Sequence, residues 1–196
     1  MSDAVELKQF SVGDWNNNVY ILVDRATGAS VLIDAPTDAA RIMEALEGTN
    51  PVYILMTHAD RDHVGALDEV RQATGVPVGA HPTEADRLPS PPDFELQEGQ
   101  TLQFGNSELR VMHTPGHSPG GMSFVTGDIL IAGDTLFPGG PGNTKRPEGS
   151  FDTIVESIRS KLFTLPDETR VYPGHGDPTT IGTERPHLQE WIDRGW

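Results

Sequence analysis

The chain has 196 residues, 36% of them apolar and 22% charged, with three Trp, three Tyr and seven Phe, enough for a packed core and too much for a disordered chain. Lys and Arg number 14 against 29 Asp and Glu, a formal net charge of −15, which repels phosphate backbones and anionic lipid and so excludes nucleic-acid and membrane-surface partners. No apolar run approaches the ~18 residues of a membrane span. The opening Met1-Ser2-Asp3-Ala4-Val5-Glu6 lacks the basic start and apolar stretch of an export signal, and the absence of Cys removes disulfides, thiolate ligands and a cysteine nucleophile. These features lead us to expect one cytoplasmic domain over residues 1–196 that takes a small-molecule substrate; they leave the oligomeric state open.

In chain order, residues 7–10, 19–23 and 30–34 read as consecutive strands, the last two separated by a turn at Thr27-Gly28. A helix over 38–47, an apolar strand over 52–56, a helix over 64–74 stopped by Gly75 and a strand over 76–80 follow as a βαβ pattern. After the Pro-rich loop 89–92 a second strand series covers 101–104, 109–113, 122–125 and 129–132. The Gly/Pro-rich segment 137–142 reads as a loop, Ser150 as the cap of a helix to about residue 163, Val171-Tyr172 as a strand and 183–191 as a closing helix. Two strand-rich halves, each finished by helices, predict an α/β protein of two packed sheets with helices outside.

Four segments place ligand-type residues just past an apolar strand. The first, THADRDH over 57–63, puts His58, Asp60, Asp62 and His63 where a strand meets a helix. The others are HTPGHS over 113–118, GDT over 133–135 and YPGHG over 172–176, in which Gly116, Gly133 and Gly174 precede His117, Asp134 and His175. Glycine lets the backbone turn sharply beside a site. Imidazole with carboxylate suits zinc, iron or manganese, and the lack of Cys argues against a closed structural zinc site. The alternative use of Asp60 and Asp62 is to cap the helix. His113 reads as a hydrogen-bonding neighbour of the site, His81 and His187 as surface residues, and Trp15, Tyr20 and Phe137 as core or pocket wall.

With these segments the chain resembles the metallo-β-lactamase superfamily, and within it the glyoxalase II-like hydrolases, over nearly its whole length. The resemblance implies an αββα sandwich, its two mixed sheets packed face to face, with a two-metal site along the edge of both. By position it gives His58, Asp60 and His117 to a first metal, Asp62, His63 and His175 to a second, and Asp134 as the bridge. It also implies two divalent ions, zinc foremost, and catalysis by a metal-bound hydroxide that Asp62 orients before passing a proton to the leaving group.

The family usually shows His-x-His-x-Asp-His; here Asp60 replaces the second His. Three Asp against two divalent ions leave about +1, compared with about +2 for the usual set, which makes iron or manganese more fitting than in the usual set. Lys145 and Arg146 follow the GDTLF segment, where glyoxalase II enzymes contact glutathione, and are candidate substrate-binding residues. Only 20 residues follow Gly176, too few for the helical domain that completes the glutathione site in those enzymes. The expected function is therefore cleavage of a thioester or related ester. The alternatives are an oxygenase resembling persulfide dioxygenases, with one iron on His58, His117 and Asp134, a lactonase, and a non-catalytic metal-binding protein.

Overall fold

Strand-long apolar runs in this sequence pack on both faces, and that sets the architecture. The computed structural model describes residues 4–195. One sheet has the order β1 (Val5–Val12), β2 (Asn17–Asp24), β3 (Ala29–Ile33), β4 (Asn50–Leu55), β5 (Val78–Ala80), β6 (Phe94–Glu95). The other runs β14 (Thr179–Thr180), β13 (Arg170–Pro173), β10 (Ile129–Gly133), β9 (Met122–Thr126), β8 (Ser107–His113), β7 (Thr101–Phe104). Both are mixed: β3, β4, β5 and β6 run parallel, as do β10 and β13, while the hairpins are antiparallel.

Side chains alternate across each strand. Tyr20 and Leu22 of β2 and Ile129 and Ile131 of β10 enter the layer between the sheets, with Leu55, Val111 and Phe124. Ile21 and Val23 turn outward against α1 (Ala39–Leu46) and α3 (Leu67–Thr74), and Leu130 and Ala132 against α4 (Phe151–Ser160) and α6 (Leu188–Arg194). Strands covered on both faces read as continuous apolar runs rather than alternating ones. The αββα sandwich is thus the observed fold. Truncating a residue such as Phe124, fully buried between the sheets, costs about 3–5 kcal/mol in sites of this kind.

Several boundaries differ from the sequence reading. The helix expected over 64–74 is two pieces, α2 (Arg61–Val64) and α3, because the chain between them is tied to the segment after β3. Ala35 N donates to His63 O and Ala66 N to Ala35 O, and a Cβ on Gly65 would collide with the Pro36 carbonyl oxygen. The helix does stop at Gly75, in the left-handed region at φ 67°. The closing helix is likewise split into α5 (Ile181–Glu184) and α6 around Pro186. Segment 137–142, expected as a loop, contributes to a small hairpin of β11 (Leu136–Phe137) and β12 (Gly140–Pro141), held by Gly139 N donating to buried Glu184. No helix among the described residues is long and apolar enough to cross a membrane.

Candidate metal centre

The carboxyl ends of β4, β10 and β13 open on one edge of the sandwich, where ligands bind in sheets with parallel strands. His58, Asp60, Asp62 and His63 follow β4, Asp134 follows β10, His175 follows β13, and His117 comes from the loop after β8. All seven expected residues converge. The donor atoms of His58, Asp60 and His117 lie within reach of one another, as do those of Asp62, His63 and His175. Asp134 sits between the groups, its carboxylate oxygens 3.6 Å from His63 Nε2, 3.6 Å from His117 Nε2 and 3.7 Å from His175 Nε2. Gly174 permits the approach, since a Cβ there would overlap Asp134 Oδ1.

The four imidazoles share one orientation. His117 Nδ1 donates to Asn143 O at 2.8 Å, His175 Nδ1 to Trp15 O at 2.9 Å and His63 Nδ1 to Asp34 Oδ2 at 2.8 Å. Thr57 Oγ1 gives its own proton to Asp34 Oδ2, so it accepts from His58 Nδ1 at 2.9 Å. Each Nε2 is thereby left with its lone pair facing inward, the arrangement that metal-bound histidines use. His58 Nε2 and Asp134 Oδ1 are buried without a hydrogen-bond partner, which costs free energy unless a cation takes their lone pairs. The donor set therefore fits a divalent ion with nitrogen and oxygen ligands.

Charge within the site is uneven. Burial works against an ionised Asp60, yet the hydrogen bonds it accepts from Arg146 and the nearby His117 and His58 imidazoles hold its carboxyl far below the usual carboxylate range. Asp62 is also held well below that range: burial opposes this, and hydrogen bonds from His175 and Asn17, whose Nδ2 is 2.9 Å from Oδ2, outweigh it. Burial and the neighbouring His63 push His58 down. For His63 burial acts in the same direction, but the Asp34 carboxylate overcomes it and raises the imidazole to about 9.

Other sequence expectations need correction. Asp60 stands at the N-cap of α2, but its side chain makes no capping bond. It pairs instead with Arg146 and, at 2.5 Å, with Arg87. Arg146 is thus engaged inside the site rather than free for a substrate anion, whereas Lys145 is exposed beside a cavity of about 250 Å³ lined by residues 141–145. The His113 ring stacks on His81 at 4.2 Å and donates to Pro119 O rather than to one of the seven donor residues. Trp15 is 70% exposed, not core.

Four supporting residues escaped the sequence reading. Asp34 accepts from Thr57 and His63, Asn17 from β2 holds Asp62, and buried Glu84 accepts from Ala59 N and Gly120 N, tying two donor loops together. Arg87 links Glu84 to Asp60. Asp34 carried a signal, since it too follows an apolar strand.

The profile of the Metallo-beta-lactamase superfamily matches residues 12–175. The chain belongs to that superfamily. It is 34% identical to the hydroxyacylglutathione hydrolase GloC of Haemophilus influenzae, over 87% of this chain and 91% of that protein. It is 39% identical to a hydroxyacylglutathione hydrolase of Cereibacter sphaeroides, over 82% of this chain and 62% of that protein. Among solved structures, BLEG-1, a B3 metallo-beta-lactamase, aligns at TM-score 0.87 and 33% identity, covering 93% of this chain and 98% of that one. ETHE1 from Myxococcus xanthus aligns at 0.85 and 28%, covering 93% and 83%. TTHA1623 in a di-iron-bound form aligns at 0.80 and 33%, covering 91% and 96%.

Proposed function

We propose that the protein is a metal-dependent hydrolase that cleaves a thioester or related ester of a small carrier in the cytoplasm. His58, Asp60, Asp62, His63, His117, Asp134 and His175 line its metal centre, zinc being the first candidate ion and iron or manganese the next. The observation that carries this reading is the shared orientation of the four imidazoles around Asp134, each with Nδ1 bonded outward and Nε2 aimed inward. Similarity to the two hydroxyacylglutathione hydrolases supports the substrate class.

A bound divalent ion supplies acidification of water and stabilisation of negative charge on an acyl oxygen. The chain does the rest. Asn17 fixes Asp62 Oδ2 so that the carboxylate can orient water toward an acyl carbon and relay a proton. A carboxylate held this low is a weak base and, once protonated, releases its proton readily. That suits a thiolate leaving group, whose conjugate acid has a pKa of about 8.5 and which departs without full protonation. Lys145 is exposed and lines a small cavity, which supports assigning it the contact with an anionic group on the carrier.

A one-iron oxygenase on His58, His117 and Asp134 is the competing reading, and the likeness to ETHE1 motivates it. The contact of Arg146 with His117 Nε2, at 3.0 Å, speaks against that set because it uses the lone pair an iron would need. Loading the purified protein with zinc, iron or manganese and following thiol release from acyl thioesters tests the proposal. Absence of thiol release with every metal, together with oxygen uptake on a persulfide, would replace it with the oxygenase.

A further inference from the structure

We propose that Arg146 occupies the first of the two metal positions, so that the protein binds one divalent ion, among Asp62, His63, Asp134 and His175, and keeps a fixed guanidinium where a second ion would sit. This rests on the metal-centre reading above and narrows its stoichiometry.

The three donors at the first position are His58, Asp60 and His117; Asp60 and His117 are already taken, and His58 Nε2, which has no hydrogen-bond partner, also lies with His63 and Asp134 in a group of donors that a single ion can reach. Arg146 brackets the Asp60 carboxylate with both terminal nitrogens, Nη2 lying 2.7 Å from Oδ1 and Nη1 bonded to Oδ2. This is the two-pronged match that a planar guanidinium makes and an ammonium does not. Asp60 Oδ1 also accepts from Arg87 at 2.5 Å, and Arg87 is itself anchored on buried Glu84 at 2.9 Å. His117 has given its Nδ1 proton to the Asn143 carbonyl, so the Nε2 that faces Arg146 Nη1 at 3.0 Å acts as an acceptor. A metal needs that lone pair at about 2.0–2.1 Å. One lone pair cannot serve both, and the same guanidinium nitrogen is bonded to Asp60 Oδ2 and His117 Nε2 together.

The other end differs. Among the described interactions, no Lys or Arg side chain is bonded to Asp62, His63, Asp134 or His175, and Asp134 Oδ1 has no hydrogen-bond partner. The substitution of Asp for His at position 60 also acquires a reason. An extra carboxylate next to a dication would weaken its Lewis acidity, whereas a carboxylate paired with Arg146 returns this position to neutrality and holds N–H donors at the site, able to stabilise developing negative charge.

Counting metal tests this without reference to activity. The metal-free protein is loaded with excess Mn²⁺, desalted and analysed by plasma mass spectrometry, and its electron paramagnetic resonance spectrum is recorded. Wild type should hold one ion per chain with the signal of an isolated Mn²⁺. Arg146→Met should hold two, with the signal of an exchange-coupled pair. Asp60→His, which removes the anchor of the guanidinium, should also hold two and stands in if Arg146→Met does not fold. Two coupled ions in wild type would overturn the proposal whatever the variants do, as would a count of one in both variants. No ion in wild type would overturn both this proposal and the metal reading. A one-ion protein inactive on every thioester would remove the hydrolase proposal and leave this one standing.

Discussion

The Nε2 atoms of His63 and His175 face each other at 3.3 Å, although each ring has already given its Nδ1 proton to an outer acceptor, Asp34 in one case and the Trp15 carbonyl in the other. Two lone pairs so close repel unless a proton or a cation lies between them. In the metal-free protein the proton is the answer: Asp34 raises His63 to about 9, and the hydrogen bond that His175 gives to Asp62 raises His175 as well.

Metal uptake should therefore expel protons. His63 is charged at neutral pH without metal and must be neutral to ligate, so about one proton or more per ion should be released at pH 7.5. Because the pKa is raised, protons compete with the ion below about 9. Affinity should rise with pH up to that value and level off above it. Titration calorimetry in buffers of different ionisation enthalpy measures the release; a heat independent of buffer would contradict it.

Asp34→Asn should weaken metal binding by about 10–100-fold, the usual effect of removing the partner that orients a ligating imidazole. The carboxylate accepts from Thr57 N and Oγ1 and from His63 Nδ1, and the amide cannot accept all three. Competition with a chelator reads the affinity. Unchanged affinity would mean that His63 does not ligate.

Glu84→Ala should destabilise the fold by about 2–5 kcal/mol, since it orphans buried Ala59 N and Gly120 N and leaves Arg87 without its anchor. For a chain of this length that is a fall in Tm of roughly 5–15 °C. A shift under about 2 °C would show that the two donor loops hold together without Glu84.

Discrimination between thiol carriers should be modest. With Arg146 turned onto Asp60, Lys145 is the remaining cation of the pair expected to meet a carrier. The kcat/KM for lactoylglutathione should exceed that for a short acyl thioester by less than about 100-fold, or roughly 2.7 kcal/mol. Lys145→Ala should lower the former by about 3–10-fold and leave the latter unchanged. A larger preference, unaffected by this substitution, would place carrier recognition elsewhere.

Much of this protein was readable in advance because its signals are local. Runs such as 19–23 and 129–132 read as strands, and ligand-type residues next to Gly116, Gly133 and Gly174 marked strand ends where the backbone can turn sharply. The break between α2 and α3 was not readable, since Gly65 in a helical pattern is ambiguous until Pro36 packs against it. Nor was the hairpin of β11 and β12, which depends on Glu184, 45 residues beyond Gly139.

By itself the sequence determined the αββα layering and which seven side chains meet, for apolar periodicity and short strand-end motifs act over a few residues. The tertiary structure alone decided which of those donors are paired with a cation of the chain itself. Asp60 and Arg146 are 86 positions apart, and His117 and Arg146 are 29 apart. Nothing in the local pattern of either segment specifies such a pairing. It arises because the fold brings the loops after β4, β8 and β12 to one edge, where a largely buried carboxylate must find its counter-charge among whatever cations the fold delivers.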